Sequence, residues 1–198
     1  MLIQNSNDYV SAPFEITAQD LAIIFDQLNL GLRRQMQIVN DVWEDSKWIL
    51  PRRYRTKNKK KQYIEDVLYQ IDYLYHKDEV DASIGKIKRT SEELGYKVSK
   101  KQLTGDYSGI SEYFKMLWIQ LKFVNQSGYT RAKIRTVLDK YHYKRRSDKF
   151  CDYFEECLYF YKIIPTVKGR ECNIRTIPID TMITFRLRDR RHKKPATF

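Results

Sequence analysis

Hydrophobic residues recur at steps of three and four along the first quarter of the chain, as they do on one face of an α-helix. Thr17, followed three residues later by Asp20, is typical of a helix N-terminus. The apolar stripe runs to about Glu44, and Gly31 within it predicts a break or bend because glycine weakens a helix interior. We expect residues 18–44 to pack in a core or against a partner, such as a second copy. The stripe consists of Leu21, Ile24, Phe25, Leu28, Leu32, Met36, Val39, Val42 and Trp43.

A second helical pattern follows a strongly basic stretch. Pro51 ends the first unit, and residues 51–61 have no apolar position except Tyr54. This composition predicts a basic linker, an arm or the entry to a helix. Apolar residues then return at helical spacing and stop near His76, which predicts a second amphipathic helix. They are Ile64, Val67, Leu68, Ile71, Leu74 and Tyr75.

Shorter helical patterns fill much of the second half. Residues 111–124 are apolar on most sides, which predicts a well-buried helix. Thr130 and Ser147 are predicted N-caps of two further helices, which end near Lys140 and Tyr161.

After Tyr161 the hydrophobic period changes to that of strands. Strand-type residues on either side of Gly169 predict a β-hairpin with Lys168 and Arg170 at its tip. Beyond it, Ile183, Phe185 and Leu187 alternate with Thr184, Arg186 and Arg188, which predicts a half-buried strand with a basic outer face. Only seven glycines and five prolines are present, too few for an all-β sandwich. The predicted fold class is therefore mainly α with a small β-hairpin.

These patterns divide the chain into five predicted segments. An acidic N-terminal helical unit covers residues 1–50, and the basic linker or arm covers 51–61. A helical unit covers 62–125. A unit of helices and a hairpin covers 126–188, and a disordered basic tail covers 189–198.

The net charge of +12 is concentrated in three short stretches. Residues 51–61 carry +7, residues 131–146 carry +6 and residues 186–194 carry +5, whereas the intervening segments are neutral or acidic. A charge that served solubility alone would be spread more evenly. The concentration favours a polyanionic partner, and we expect nucleic acid.

The basic stretches supply the candidate nucleic-acid contacts. Each Lys or Arg that neutralises a phosphate adds affinity and steepens the dependence of binding on salt. Tyr54, among the arginines, is the candidate for base stacking, with ordinary core packing as the alternative. The candidate phosphate contacts are Arg52, Arg53, Arg55, Lys57, Lys59, Lys60, Lys61, Lys144, Arg145, Arg146, Lys149, Lys168, Arg170, Arg186, Arg188, Arg190 and Arg191.

The predicted order of elements in residues 130–188 is helix, polar turn, helix and hairpin. This order resembles a winged helix-turn-helix domain, a superfamily whose members mostly bind duplex DNA. The resemblance lies in element order over about a third of the chain, with no diagnostic short motif. It implies a recognition helix at residues 148–161, a wing at 167–174 and a winged-helix-like C-terminal unit. It also implies that the partner is duplex DNA in preference to RNA. A second and weaker resemblance, to a degenerate helix-turn-helix, begins near Thr90 in the 62–125 unit.

The implied recognition helix is acidic beyond its first turn. It carries Asp148, Asp152, Glu155 and Glu156 beside a single base, Lys149. Because carboxylates repel a phosphate backbone, we expect contact to be confined to the helix N-terminus, where backbone N–H groups also favour phosphate. The acidic face should then point towards another part of the protein.

Motifs of catalysis and of metal or cofactor binding are missing from the sequence. It has no glycine-rich phosphate loop, no nucleophile elbow and no paired-histidine motif, and its three cysteines include no Cys-x-x-Cys pair. We therefore predict no catalytic residue, no metal site and no cofactor. Glu79, Asp81 and Lys86 form a loose set that keeps a metal-dependent nuclease as an alternative.

The sequence has neither an apolar run long enough to span a bilayer nor a secretory signal. We expect a soluble protein without a membrane partner, located in the cytoplasm, on the nucleoid of a bacterium or in the nucleus of a eukaryote. The favoured hypothesis is a DNA-binding transcriptional regulator or mobile-element replication factor that contacts mainly the phosphate backbone. The alternative is an accessory or inhibitor subunit that binds RNA or a protein in a nucleic-acid-processing complex.

Overall fold

The computed structural model describes residues 14–76 and 107–188, which belong to two compact units. The division falls between Asp106 and Tyr107. We call the described residues 14–76 unit 1 and the described residues 107–188 unit 2. Helices predominate beside one small antiparallel sheet, as the sequence predicted. The predicted boundary at residue 125 differs because the helix before it packs on the elements that follow it.

Unit 1 contains three α-helices and three 3₁₀ turns. The helices are α1 (Ala18–Gln27), α2 (Leu32–Ser46) and α3 (Lys60–Tyr75), and the turns are Lys47–Ile49, Arg52–Tyr54 and Lys57–Lys59.

The two ends of α1 show why the apolar stripe forms two helices. The predicted capping box is confirmed, since Asp20 N donates to Thr17 Oγ1 at 3.1 Å and Thr17 N donates to the Asp20 carboxylate at 2.7 Å. After α1, Asn29 takes a left-handed φ of 48°, and Gly31 becomes the N-cap of α2. The break that Gly31 predicted is therefore present.

The apolar stripe of residues 18–44 lies mostly inside unit 1. Six of its members are buried, whereas Leu28 and Met36 are half-buried and Leu32 is exposed. Core packing, the first of the two alternatives, is therefore confirmed for most of the stripe, and a homodimer or protein partner through residues 18–44 stays a prediction. The six buried members are Leu21, Ile24, Phe25, Val39, Val42 and Trp43.

Residues 51–61 fold as part of unit 1: of the alternatives for this stretch, the entry to a helix is present, because α3 begins at Lys60. Ile16 N donates to Ile49 O at 2.9 Å, which joins the start of the unit to the segment just before Pro51. Arg55 Nε donates to Leu50 O at 2.7 Å. These bonds anchor a stretch that has too few apolar residues to be held by hydrophobic packing.

Unit 2 contains three α-helices and four strands. The helices are α4 (Ser108–Ile119), α5 (Ile134–Lys140) and α6 (Asp148–Phe160), and α4 continues into a π-helical turn, Gln120–Val124. The strands are β1 (Tyr129–Lys133), β2 (Ile163–Val167), β3 (Arg170–Glu171) and β4 (Met182–Leu187).

Of the two helix N-caps predicted in unit 2, one is confirmed and one is wrong. Ser147 caps α6 as predicted, accepting a bond from Phe150 N at 3.2 Å. Thr130 is not a helix cap, because residues 129–133 form β1 and α5 begins only at Ile134. The five backbone positions of β1 pair with β4, and this pairing outweighs the local preference for a capped helix.

The sheet is antiparallel with the order β1-β4-β2-β3. Lys168 and Gly169 join β2 to β3 with φ values of 50° and 82°, as a two-residue type I′ turn requires. The predicted hairpin with a basic tip is therefore present. The alternation predicted for β4 is also confirmed, because Ile183 and Phe185 are buried and Arg186 is exposed.

One face of the sheet packs on α4 and α6. Phe154 of α6 lies between the other two elements, with its ring centre 4.7 Å from that of Phe114 in α4 and 6.4 Å from that of Phe185 in β4. The opposite face of the sheet carries half-buried and exposed side chains. Within the described ranges, no helix combines the length and apolar character needed to cross a membrane.

Candidate nucleic-acid interface

Most of the basic side chains predicted in unit 1 have a partner inside that unit. Arg55 Nη2 lies 2.6 Å from the Glu15 carboxylate, which is itself nearly buried. Lys60 Nζ lies 2.5 Å from Glu44. The smaller contacts are from Lys59 to the Gln62 side chain at 2.9 Å and from Lys61 to Glu65 at 3.6 Å.

Tyr54 is not available for base stacking, which corrects the sequence-based candidate. Its side chain has no exposed surface, and its hydroxyl donates to the Asp66 carboxylate. The Arg53 guanidinium lies 4.6 Å from the ring centre and donates to the same hydroxyl at 2.6 Å. Burial and the bond to Asp66 raise the pKa of Tyr54 to about 12. Ordinary core packing, the alternative, is therefore what Tyr54 does.

Two predicted contacts of unit 1 have exposed side chains without a partner. The side chains of Arg52 and Lys57 make no hydrogen bond or ion pair within residues 14–76 or 107–188. Among the basic side chains of residues 52–61, these two are the least involved in hydrogen bonds and ion pairs that stabilise the fold, and we call such side chains free and the others committed.

The turn before α6 holds the most accessible basic group in unit 2. Lys144, Arg145 and Lys149 are exposed, and no other side chain in the described part of the chain pairs with them. They lie beside Ser147, where the first N–H groups of α6 begin. A helix N-terminus with adjacent cations is suited to an anion such as phosphate.

Arg146, the fourth base of this turn, has a structural role. Its Nη1 atom donates to Ile174 O at 2.9 Å and also to Ile177 O. These bonds hold the connection between β3 and β4 against the start of α6. Because the guanidinium is half-buried and bonded to the backbone, Arg146 is corrected from a phosphate contact to a structural residue.

Arg175 forms ion pairs with part of the acidic face of α6. Its Nη2 atom lies 2.5 Å from Asp152 and 2.7 Å from Glu155, and its Nε donates to Glu155 at 3.0 Å. These two carboxylates raise the pKa of Arg175 above its ordinary value. The expectation that the acidic face meets another part of the protein is confirmed for Asp152 and Glu155, whereas Asp148 and Glu156 stay exposed.

The hairpin tip adds two exposed bases. Lys168 occupies the turn, and Arg170 begins β3. Near the other end of the sheet, Arg188 Nη2 lies 4.0 Å from Glu171, so this predicted contact is weakly paired.

The face of the sheet opposite α6 forms a second basic surface, which we call the outer sheet face. Tyr129 lies directly opposite Arg186 in the pairing of β1 with β4. The guanidinium groups of Arg131 and Arg186 lie 5.1 and 5.6 Å from the centre of the Tyr129 ring, within the range of a cation–π contact. The outer sheet face consists of Tyr129, Arg131, Lys133, Ile164, Thr166, Glu171, Met182, Thr184 and Arg186.

Sequence reasoning missed Tyr129, Arg131 and Lys133 as functional candidates. A signal was present, since these residues alternate with Thr130 and Ala132 at the strand period. The interpretation of Thr130 as a helix cap obscured it.

Several expected features fall elsewhere. Arg190, Arg191, the Glu79, Asp81 and Lys86 set and the segment from Thr90 lie outside the described residues. Within the part of the chain that is described, no three His, Cys, Asp or Glu side chains are grouped as a metal site. Cys157 is fully buried, and this burial raises the pKa of its thiol.

The chain was compared with protein-family profiles, characterised proteins and solved structures, and no match was found in any of the three.

Proposed function

We propose that this protein binds duplex DNA through unit 2, which is winged-helix-like. The order of elements supports the resemblance: helix α4, strand β1, helices α5 and α6, the β2–β3 hairpin and strand β4, which pairs with β1 and β2. In this proposal α6 is the recognition helix. Residues 167–174 are the wing.

One observation carries the proposal: exposed bases cluster at the N-terminus of α6, and the acids of the next turn are paired. Lys144, Arg145 and Lys149 lie at this end, with Asp148 as the one acid of the first turn. Asp152 and Glu155 share an ion pair with Arg175. A phosphate that approaches the helix end meets cations and backbone N–H groups. The negative charge of the next helical turn is partly compensated by Arg175. This answers the objection, drawn from the sequence, that carboxylates on the recognition helix repel a phosphate backbone.

The wing supplies the remaining contacts. Lys168 and Arg170 lie at the hairpin tip, and Arg146 holds the wing against the start of α6. With the three bases near α6, the surface offers about five phosphate contacts, which corresponds to a slope of about −4.5 in a plot of log affinity against log salt. Transcriptional regulation or replication of a mobile element is the role that we propose for such a domain.

The test compares two variants with equal loss of charge. K144Q/R145Q/K149Q removes the bases at the α6 N-terminus, and K59Q/K60Q/K61Q removes three bases that have partners in unit 1. Binding of the full chain to a labelled duplex is measured by fluorescence anisotropy over a range of salt concentrations.

We expect the α6 variant to lose about three units of salt slope and the unit 1 variant clearly less. Equal losses would show that affinity follows net charge alone and would overturn the assignment to α6. A structured RNA is measured in parallel, and a preference for it would favour the accessory-subunit hypothesis.

A further inference from the structure

We propose that the outer sheet face is a binding site for single-stranded nucleic acid, with Tyr129 as the base-stacking residue. Arg131, Lys133 and Arg186 hold the phosphates in this site. It goes beyond the proposed duplex surface because it uses different residues on the opposite side of the sheet from α6. The two proposals can therefore be tested independently of each other.

The charge on the outer sheet face matches a polyanion. At the outward positions of β1 and β4, three bases occur without an acid: Arg131, Lys133 and Arg186. The one acid of this face in the described sheet is Glu171 of the edge strand β3, which lies opposite Thr166 and 4.0 Å from Arg188. Arg135 and Asp180 form a bidentate ion pair of their own and add no net charge nearby.

Tyr129 is held in place for stacking. Gly128, with a φ of 67°, turns the chain into β1, and Asn125 Nδ2 donates to Tyr129 O at 3.2 Å and to Thr130 Oγ1 at 2.7 Å. The ring is half-buried beside two guanidinium groups. Nucleic-acid bases stack on tyrosine rings and also on the planar guanidinium groups of arginine. Tyr129 and its two neighbouring guanidinium groups therefore form a stacking platform. Because these side chains are held in place before binding, little conformational entropy is lost when a base stacks on them.

The uncharged positions of the surface favour a single strand over a duplex. Thr184 offers a hydroxyl, and that of Thr166, which donates to Thr184 O at 3.1 Å, can only accept. Ile164 and the exposed Met182 offer apolar contact. Such side chains suit unstacked bases, which a duplex keeps inside. From Tyr129 to Lys133 the site extends about 13 Å along β1, which is the length of about four stacked nucleotides.

The experiment uses the full chain and two labelled probes, an oligothymidylate of about 20 nucleotides and a duplex. The variants are Y129A, Y129F and R131Q/R186Q. R135Q removes a neighbouring charge that is outside the platform and serves as the control. Circular dichroism verifies that each variant is folded.

We expect Y129A and R131Q/R186Q to weaken oligothymidylate binding about tenfold or more. Y129F, which keeps the ring, and R135Q should stay within about threefold of the parent. Duplex affinity should change by less than about threefold in Y129A because that probe does not offer its bases. Y129F and R131Q/R186Q keep the test decisive if Y129A fails to fold.

Two results would overturn the inference: no oligothymidylate binding by the parent chain, or unchanged oligothymidylate binding in R131Q/R186Q. Either leaves the duplex proposal standing if K144Q/R145Q/K149Q still lowers duplex affinity. Conversely, loss of oligothymidylate binding in R131Q/R186Q, with no duplex binding by the parent chain, supports the outer sheet face and refutes the duplex proposal.

Discussion

The basic segment of unit 1 and the basic surfaces of unit 2 have similar composition but use their charges differently. In residues 52–61, cations such as Arg55 and Lys60 are matched by carboxylates within unit 1. In unit 2, Lys144, Arg145 and Lys149 have no side-chain partner in the described ranges. The densest run of charge in the sequence is therefore the one most committed to the fold.

The same contrast occurs between neighbouring residues. Arg145 is exposed, whereas Arg146 donates to two backbone carbonyl groups. A segment with few apolar side chains has to be held by polar bonds, and arginine supplies several donors in a fixed geometry. A basic side chain is thus free to bind a ligand only where the fold does not need its hydrogen bonds.

The largest expected effect is the loss of stability in Arg55→Ala. This change removes the partner of the nearly buried Glu15 carboxylate and the bond to Leu50 O. We expect the free energy of unfolding to fall by about 2 kcal/mol, measured by urea denaturation. The exposed Arg52 provides the control, because its change to Ala should cost less than about 0.5 kcal/mol. Equal costs would remove the distinction between committed and free cations in unit 1.

Arg146→Ala and Arg145→Ala should separate stability from binding. We expect Arg146→Ala to lower the free energy of unfolding by about 1.5 kcal/mol, because the carbonyl groups of Ile174 and Ile177 lose a charged donor. Arg145→Ala should leave stability within about 0.5 kcal/mol of the parent but reduce the salt slope of DNA binding by about one unit. Urea denaturation and anisotropy titrations measure the two effects. The reverse pattern would contradict the assignment.

Arg175→Ala should expose the acidic face of α6. Asp152 and Glu155 lose their common partner and repel each other and any approaching phosphate. We expect a small loss in stability, because the pairs are solvent-exposed, and a several-fold loss in duplex affinity. D152N/E155Q in the same background should restore the affinity. If it does not, the acidic face is irrelevant to binding.

The smallest effect appears only at alkaline pH and belongs to unit 1. The pKa of Tyr54 is raised from 10.0 to about 12 by burial and by its bond to Asp66. Stability from this phenol is therefore complete below pH 10 and lost as the pH rises towards 12. In Tyr54→Phe, stability should fall less steeply over this interval, as measured by urea denaturation at a series of pH values. An unchanged slope would contradict this role for Tyr54.

The sequence predicted the local features of the candidate site but not its composition. Ser147 as the cap of α6, the turn at Lys168 and the alternation in β4 were all predicted correctly, because each depends on residues close together in the chain. The strand containing Tyr129 and Arg131 was missed. Its hydrogen bonds come from β4, about 50 residues further along, and no local signal shows that pairing.

The sequence by itself determined the helical class, the helix starts at Thr17 and Ser147 and the concentration of positive charge. Periodicity and capping act over a few residues, so they can be recognised in the sequence. Only the tertiary structure decided which charges remain free. That outcome depends on encounters between distant residues, such as Arg55 with Glu15, or Arg175 with Asp152. Each encounter uses hydrogen-bonding capacity that the sequence alone would assign to a ligand.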